Sequence, residues 1–217
     1  MVARGAGGRQ TVSMQQLEAQ TASGWDRRRA RVARDIEGAA LELFVRHGPG
    51  DVTVEQIAAA AGISNRTFFR YFASRDDILA AVPRRALERI SAQVRARPAS
   101  EGIVEAFAAA GEDIDEDPEE RRLMVLWATV VRRSPGASAR ALSASALTIT
   151  DACESLIAER MEIPRDDPRV GVLAAAIGGV ATHAFWRWVA DQGTAPIGPM
   201  IADALRVLAE LGRPPEA

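Results

Sequence analysis

Residues 52–72 read VTVEQIAAAAGISNRTFFRYF, and the punctuation of that stretch decides the fold. Thr53 is a good helix N-cap, and Gln56, three residues on, is placed to return the bond as a capping box. The helix it opens runs through Val54, Ile57 and Ala58 to Ala61. Gly62 stops it, because glycine takes the left-handed conformation without a Cβ penalty. Ser64 then caps a second short helix, Asn65–Phe72. Ser74 is placed to cap a further one beginning at Arg75, with Asp76 and Asp77 in its electropositive first turn. Two short helices joined by a glycine turn make a helix-turn-helix unit.

What such a unit does depends on the side chains its second helix exposes. Phe68 and Phe72 are four apart, share a face, and are expected to pack on Leu43, Phe44 and Ile57. The other side then presents Asn65, Arg66, Thr67, Phe69, Arg70 and Tyr71. Two arginines suit guanine edges or phosphates, and the hydroxyls of Ser64, Thr67 and Tyr71 suit phosphates. Polar residues on a short helix are usually only solvated. Phe69 beside Tyr71 weighs against that reading, since an exposed aromatic is costly unless something covers it.

Working outward, Val32, Ile36, Ala39, Ala40, Leu43 and Phe44 recur at intervals of three and four and give the preceding helix one apolar face. The pattern starts near Asp26, and His47 with Gly48-Pro49-Gly50 ends it. Arg27, Arg28, Arg29, Arg31 and Arg34 crowd its first turns. Alone, such a run reads as a solvated face. Beside the hairpin it reads as a backbone-contacting arm, with Arg28 and Arg31 as the expected contacts. Residues 1–23 have little to bury and read as a flexible tail.

Beyond residue 82 the pattern stays helical. Pro83 is placed to open a helix Arg84–Arg97 that breaks at Pro98. Further helices are expected at Glu101–Gly111, Pro118–Arg133, Gly136–Met161, Pro168–Gln192 and Pro196–Leu211. No stretch alternates as a strand would, so the fold class is all-α. Three units are expected: a tail (1–23), a three-helix domain carrying the helix-turn-helix (24–82), and a larger helical domain (83–217).

Charge divides the chain in the same way. Residues 1–75 hold eleven arginines against seven Asp and Glu, a net of +4, whereas residues 76–217 hold sixteen against twenty-two, a net of −6. Only the first part is suited to nucleic acid. The single cysteine, Cys153, excludes an intramolecular disulfide and fits a reducing cytoplasm, where a buried small hydrophobe is its simplest role. Val170–Phe185 is the most membrane-like run, but His183 interrupts it and Arg169 and Arg187 bracket it, so a buried helix is expected. No nucleophile-base-acid order, phosphate loop or carboxylate pair points to an enzyme. The two histidines, His47 and His183, and Cys153 lack metal-ligand spacing, so neither a metal nor a cofactor is expected.

Residues 24–82 resemble the N-terminal domain of the TetR family of bacterial regulators. The resemblance rests on Gly24-Trp-Asp-Arg-Arg-Arg, Ala39-Ala-Leu-Glu-Leu-Phe-Val-Arg-His-Gly, Val52 to Ser64, and Asn65 to Leu79. It implies that Thr53 binds a phosphate, that Ser64, Thr67 and Tyr71 contact the backbone, and that Asn65, Arg66 and Arg70 read bases or phosphates. Phe69 and Arg75 are counted among the DNA contacts as well, although Phe69 stands where the family most often has tyrosine and Arg75, which keeps the charge, where it has lysine. The C-terminal part is similar to the TetR subgroup with an acyl-CoA-like ligand domain, through Arg132-Arg-Ser-Pro, Ile157 to Pro168 and Trp186 to Gly193.

Pro168–Gln192 is apolar nearly all round, through Val170, Val172, Leu173, Ile177, Val180, Phe185, Trp186 and Val189. Such a helix needs cover on both sides. A second subunit is the economical partner, joined by Met200, Ile201, Leu205 and Leu208 of the last helix in a four-helix bundle, with Gly171, Gly178 and Gly179 permitting close approach. Phe107, Met124, Trp127, Val131 and Leu147, with His183 as a polar group, are candidates for an effector cavity, although each taken singly reads first as ordinary core. The expectation is a cytoplasmic, ligand-responsive repressor that binds a palindromic operator as a homodimer. A small lipophilic or acyl-CoA-like effector would release it. An effector-independent activator or architectural protein is the alternative.

Overall fold

The computed structural model describes residues 14–112, 117–134, 136, 150–191 and 193–211, with side chains from residue 24. Helix follows helix, and no strand occurs among the described residues. In chain order they are α1 (Met14–His47), α2 (Val54–Ala60), α3 (Asn65–Tyr71), α4 (Asp76–Ala96), α5 (Ile103–Glu112), α6 (Pro118–Arg133), α7 (150–161), α8 (Pro168–Ala190) and α9 (Ile197–Leu211). The helix expected over 136–161 is seen at its end, and residues 137–149, with Leu147, lie outside the described residues.

Two expectations fail at helix starts. The first helix begins at Met14, not Asp26, so ten residues assigned to a tail are helical. Met14-Gln-Gln-Leu-Glu-Ala-Gln contains good helix formers and no glycine or proline, and Gly24 lowers helix propensity without ending the helix. The second failure is Pro83. It does not open a helix but sits inside the continuous 21-residue α4. An internal proline removes the bond that its own N–H would give to the carbonyl four residues back, here that of Leu79. Trp127 on α6 supplies the missing donor: its Nε1 lies 2.7 Å from the Leu79 oxygen, in a buried setting.

The buried side chains form two clusters. The first joins Ile36, Leu41 and Phe44 of α1, Ile57, Phe68 and Phe72 of the hairpin, and Ile78 to Val82 of α4. It continues into Leu123, Trp127, Val130 and Val131 of α6 and into Trp188 and Val189 of α8. The second lies between α4, α5, α7, α8 and α9 and holds Val94, Phe107, Cys153, Leu156, Ile157, Val170, Ile177 and Leu205. Burial, and behind it the charge of Glu154, pushes the Cys153 thiol up, in keeping with a core role. α5 and α9 meet backbone to backbone: a Cβ on Gly198 would collide with the carbonyl of Gly111.

Ions tie α1, α4 and α6 together. Arg85 reaches Glu37 at 2.7 Å and Glu120 at 2.9 Å, and Arg34 reaches Asp117 at 2.9 Å and Glu120 at 3.3 Å. Glu37 and Glu120 are buried, and carboxylates are buried in this way only when paired. Arg122 adds an exposed link to Glu42. At the far end of α4, the Arg160 guanidinium closes the helix by donating to the carbonyls of Val94 and Arg97, at 3.2 and 3.3 Å.

α8 is long and apolar enough by length and composition to cross a membrane, with a mean hydropathy of 1.2 over its most apolar window. Within the protein it contributes Val170 and Ile177 to one core and Trp188 and Val189 to the other, and it packs along α9.

Candidate DNA-binding site

The hairpin is built by local chemistry. Gln56 N–H donates to Thr53 Oγ1 at 3.3 Å, and Thr53 N–H donates to Gln56 Oε1 at 2.8 Å, which closes the capping box of α2. At the other end Gly62 has φ +65°, and the N–H groups of Gly62 and Ile63 return to Ala59 and Ala58 at 3.2 and 2.9 Å. That pair of bonds is a Schellman turn, which only a left-handed residue at position 62 permits at low cost. Ser64 then caps α3, accepting from Thr67 N–H at 3.1 Å, with its hydroxyl 3.0 Å from that of Thr67. Asn65 Nδ2 donates to Glu55 Oε1 at 3.4 Å and pins the start of α3 to α2. The Glu55 carboxyl is held below the usual range by its own backbone N–H and then by Thr53.

Phe68 of α3 and Phe72, the residue that caps its C-terminus, are buried, as their spacing predicts, in one core with Phe44, Ile57 and the half-buried Leu43. Ser64, Asn65, Arg66, Phe69 and Arg70 are exposed, and Thr67 and Tyr71 are half-buried. Phe69 is 56% exposed and stands edge-on to Phe68, with ring centres 5.4 Å apart. Thr53, Arg28 and Arg31 are also exposed. Asn65, Arg66, Phe69 and Arg70 therefore share one open side of α3, with the half-buried Thr67 and Tyr71 flanking it and the capped N-terminus of the helix at its leading edge.

Arg75 departs from the expectation of a DNA-facing cation. Its Nη1 donates to the carbonyls of Gly50 and Val52, at 2.9 and 2.7 Å, and its Nε lies 3.6 Å from Asp76. The loop between α1 and α2 has carbonyls without helix partners, and this side chain satisfies them. The start of α4 is secured instead by Ser74 and Asp77, which exchange bonds of 2.9 and 3.3 Å.

Arg29 belongs with this face and was not among the expected contacts. Its guanidinium lies 6.0 Å from the ring centre of Tyr71, and that of Arg70 lies 5.2 Å from the same ring. Tyr71 is thus flanked by two cations, one from each helix. The signal in the sequence is Arg29 lying three residues before Val32 and seven before Ile36, on the face of α1 that packs inward.

The expected effector residues separate. Phe107 lies in the second core, whereas Trp127, Val131 and the half-buried Met124 lie in or against the first. His183 is exposed on α8 and lines no interior. Its neighbour Ala184, in line with Trp188 and Ile177, occupies the buried stripe, and His183 falls one position off it. Of the residues expected to join two copies through α9, one is taken up by the protomer itself, and Met200 is half-buried against the first core. Leu205 is fully buried in its own protomer, and Ile201 and Leu208 pack against the same core. The apolar residues facing outward are Val172 on α8, 68% exposed, and Val207 on α9, 53% exposed.

Comparison with known proteins gives two family matches. The model of bacterial regulatory proteins of the tetR family matches residues 36–82. The model of the MftR C-terminal domain matches residues 97–212. Among curated relatives, MftR of Mycobacterium tuberculosis, whose name assigns it to the transcriptional regulation of mycofactocin biosynthesis, is 30% identical over 174 residues, covering 76% of this chain and 84% of that protein. The HTH-type transcriptional regulator TcmR of Streptomyces glaucescens is 33% identical over 176 residues, covering 75% and 77%. Among solved structures, the fatty acid degradation regulator FadR of Bacillus halodurans superposes with a TM-score of 0.56 at 17% identity, covering 82% of this chain and 98% of its own. At that identity the likeness concerns the fold.

Proposed function

The chain belongs to the TetR family of bacterial transcriptional regulators and is not an enzyme, and on that footing we propose that it is a ligand-responsive repressor. Two copies would bind a palindromic operator, each laying α3 in the major groove, with residues 24–82 acting as the DNA-binding part and the remainder as the effector-binding and dimerising part. The observation that carries this reading is the open face of α3. Arg66 and Arg70 project from a helix whose Phe68 and Phe72 are locked in the core, so the arginines are presented on a rigid support. Asn65, Arg66 and Arg70 would reach base edges or phosphates. Thr53, Ser64, Thr67 and Tyr71, with Arg28 and Arg31, would hold the backbone.

The effector would be small and lipophilic, a reading supported by the match of residues 97–212 to a TetR-type C-terminal domain and not by any gathering of Phe107, Met124 and Val131, which lie in two different cores. An acyl-CoA-like compound fits that description. A ligand lodged against α6 would move Trp127, and through Leu79 would move α4, which carries the hairpin. Its cost to operator binding is the difference in its affinity for the bound and released arrangements.

Selection of fragments from the organism's own genomic DNA tests the DNA-binding reading. The wild-type chain is expected to enrich fragments sharing an inverted repeat, and Arg66→Ala and Arg70→Ala to lose that enrichment while remaining folded. Enrichment of no fragment by the wild type, or equal enrichment by both variants, would overturn it.

A further inference from the structure

The face of α1 that packs inward does not end where the core ends. Ile36 is fully buried and Val32 half-buried against the first core. One turn further out Arg29 has left the core and lies over Tyr71, the last residue of α3. One more turn out, on the same stripe, stands Trp25, 69% exposed. Residues four apart lie above one another on a helix, so Trp25 is placed about 6 Å beyond Arg29 along the axis. A tryptophan this open offers a large rigid apolar surface with one N–H donor, the kind of side chain that binding surfaces favour.

The surroundings decide what could cover this tryptophan. Arg27, Arg28, Arg29 and Arg31 are all exposed on the same two turns, and Arg70 stands across from them on α3. Four arginines against the single acid Asp26 on these turns, with Arg70 beside Tyr71, give the surface about Trp25 a positive balance that disfavours an apolar protein partner and suits a polyanion with apolar surface of its own. The deoxyribose rings of duplex DNA, set between phosphates, have that character. Resting on the reading of α3 as the helix that enters the groove, we propose that α1 extends the DNA contact outward. Trp25 would pack on sugars of the backbone flanking each half-site, while Arg28 and Arg29 hold the adjoining phosphates.

The contact makes a distinction that charge alone does not. An arginine on a phosphate releases counterions, so its loss lowers affinity and also flattens the dependence on salt, by roughly one unit of slope. A tryptophan on sugars releases none. Trp25→Ala is therefore expected to weaken operator binding about tenfold, the effect of burying a side chain of that size, at every salt concentration alike. Arg28→Ala is expected to flatten the slope.

Hydroxyl-radical footprinting reads the same contact directly, because the radical attacks the sugars. With the enriched operator, the wild type is expected to protect sugars at the outer flank of each half-site, and Trp25→Ala to lose the flank and retain the centre. Unchanged affinity or an unchanged footprint for Trp25→Ala would overturn the contact, as would a change confined to its state of association in sedimentation. A wild type that protects no duplex would overturn the operator reading and this contact together. Trp25 is exposed, so its replacement is expected to leave the thermal midpoint unmoved, and that measurement separates lost contact from lost fold.

Discussion

The indole N–H of Trp127 meets the carbonyl of Leu79 at 2.7 Å, and that carbonyl is the one Pro83 deprives of its partner within α4. The pairing fastens the helix that leaves the hairpin to the helix that crosses the middle of the protein. Trp127→Phe keeps most of the ring and removes the donor, leaving a buried carbonyl unsatisfied at about 1–3 kcal/mol. Pro83→Ala in that background restores a main-chain donor four residues on and is expected to return much of the loss. Thermal or urea denaturation of the two single variants and the double variant measures the coupling. Additive losses would show that the two sites are unrelated.

Arg85 stands between two buried carboxylates. Burial opposes its charge, but hydrogen bonding and attraction by Glu37, then by Glu120, outweigh that and raise its pKa well above the usual arginine range. A raised pKa stabilises the fold below the unfolded value and would be lost only in strong alkali, so the clamp holds throughout the neutral range. Arg85→Ala strands Glu37, whose side chain is 2% exposed, and is expected to destabilise by about 3–5 kcal/mol. Arg85→Met together with Glu37→Leu is expected to recover most of that. A single variant as stable as wild type in urea would contradict the clamp.

Acid should reach α8 at its first turn. Asp167 caps that helix and accepts from the Arg169 side chain and then its backbone N–H, which together hold the carboxyl at about 2 against an ordinary 3.8. A lowered pKa gives stability that is complete above about pH 4 and is lost as the pH falls toward 2. Carbon-detected NMR titration of Asp167 is the direct check. Arg169→Ala is expected to move the midpoint upward, and a wild-type midpoint near 4 would refute the capping argument.

At the proposed reading face, Phe69→Tyr is expected to maintain or strengthen operator binding, since the ring is exposed and in the proposed complex a hydroxyl on it would be free to meet the backbone. Tyr71→Phe is expected to weaken it at every sequence alike by about 1 kcal/mol, the usual worth of one hydrogen bond. Fluorescence titration against operator and unrelated duplex separates the two. No loss for Tyr71→Phe would mean that the ring, held between Arg29 and Arg70, is there to orient the arginines.

The hairpin was legible because its signals are local. Thr53 with Gln56, Gly62, Ser64 and the pair Phe68–Phe72 each act within a turn or two, and each forms the bond or contact its spacing predicts. Pro83 and Arg75 were not legible, because what decides them lies far along the chain. Pro83 can sit inside a helix only because Trp127, 44 residues later, repairs the break. Arg75 turns from solvent to the carbonyls of Gly50 and Val52, 25 and 23 residues earlier in the chain, which no periodicity announces. His183 was misplaced by one position on a helix whose composition is apolar all round and so gives no clear buried side.

That ambiguity bears on how two copies would meet. α8 buries Val170, Ala174, Ile177, Ala184 and Trp188 in its own protomer. Val172, Ala175, Gly179, Thr182 and His183 are left outward along its length. A Cβ built on Gly171, Gly178 or Gly179 meets nothing within 4 Å, so the protomer itself does not need these glycines small. A second α8 crossing there would. Val172→Glu and Gly179→Leu are therefore expected to leave the protomer folded and to prevent dimer formation. Leu205→Ala, a cavity in the protomer's own core, is expected to cost about 2–5 kcal/mol of stability. Sedimentation velocity at micromolar concentration distinguishes them. A dimer that survives both surface substitutions would place the interface elsewhere and leave the exposed stripe of α8 without a role in assembly.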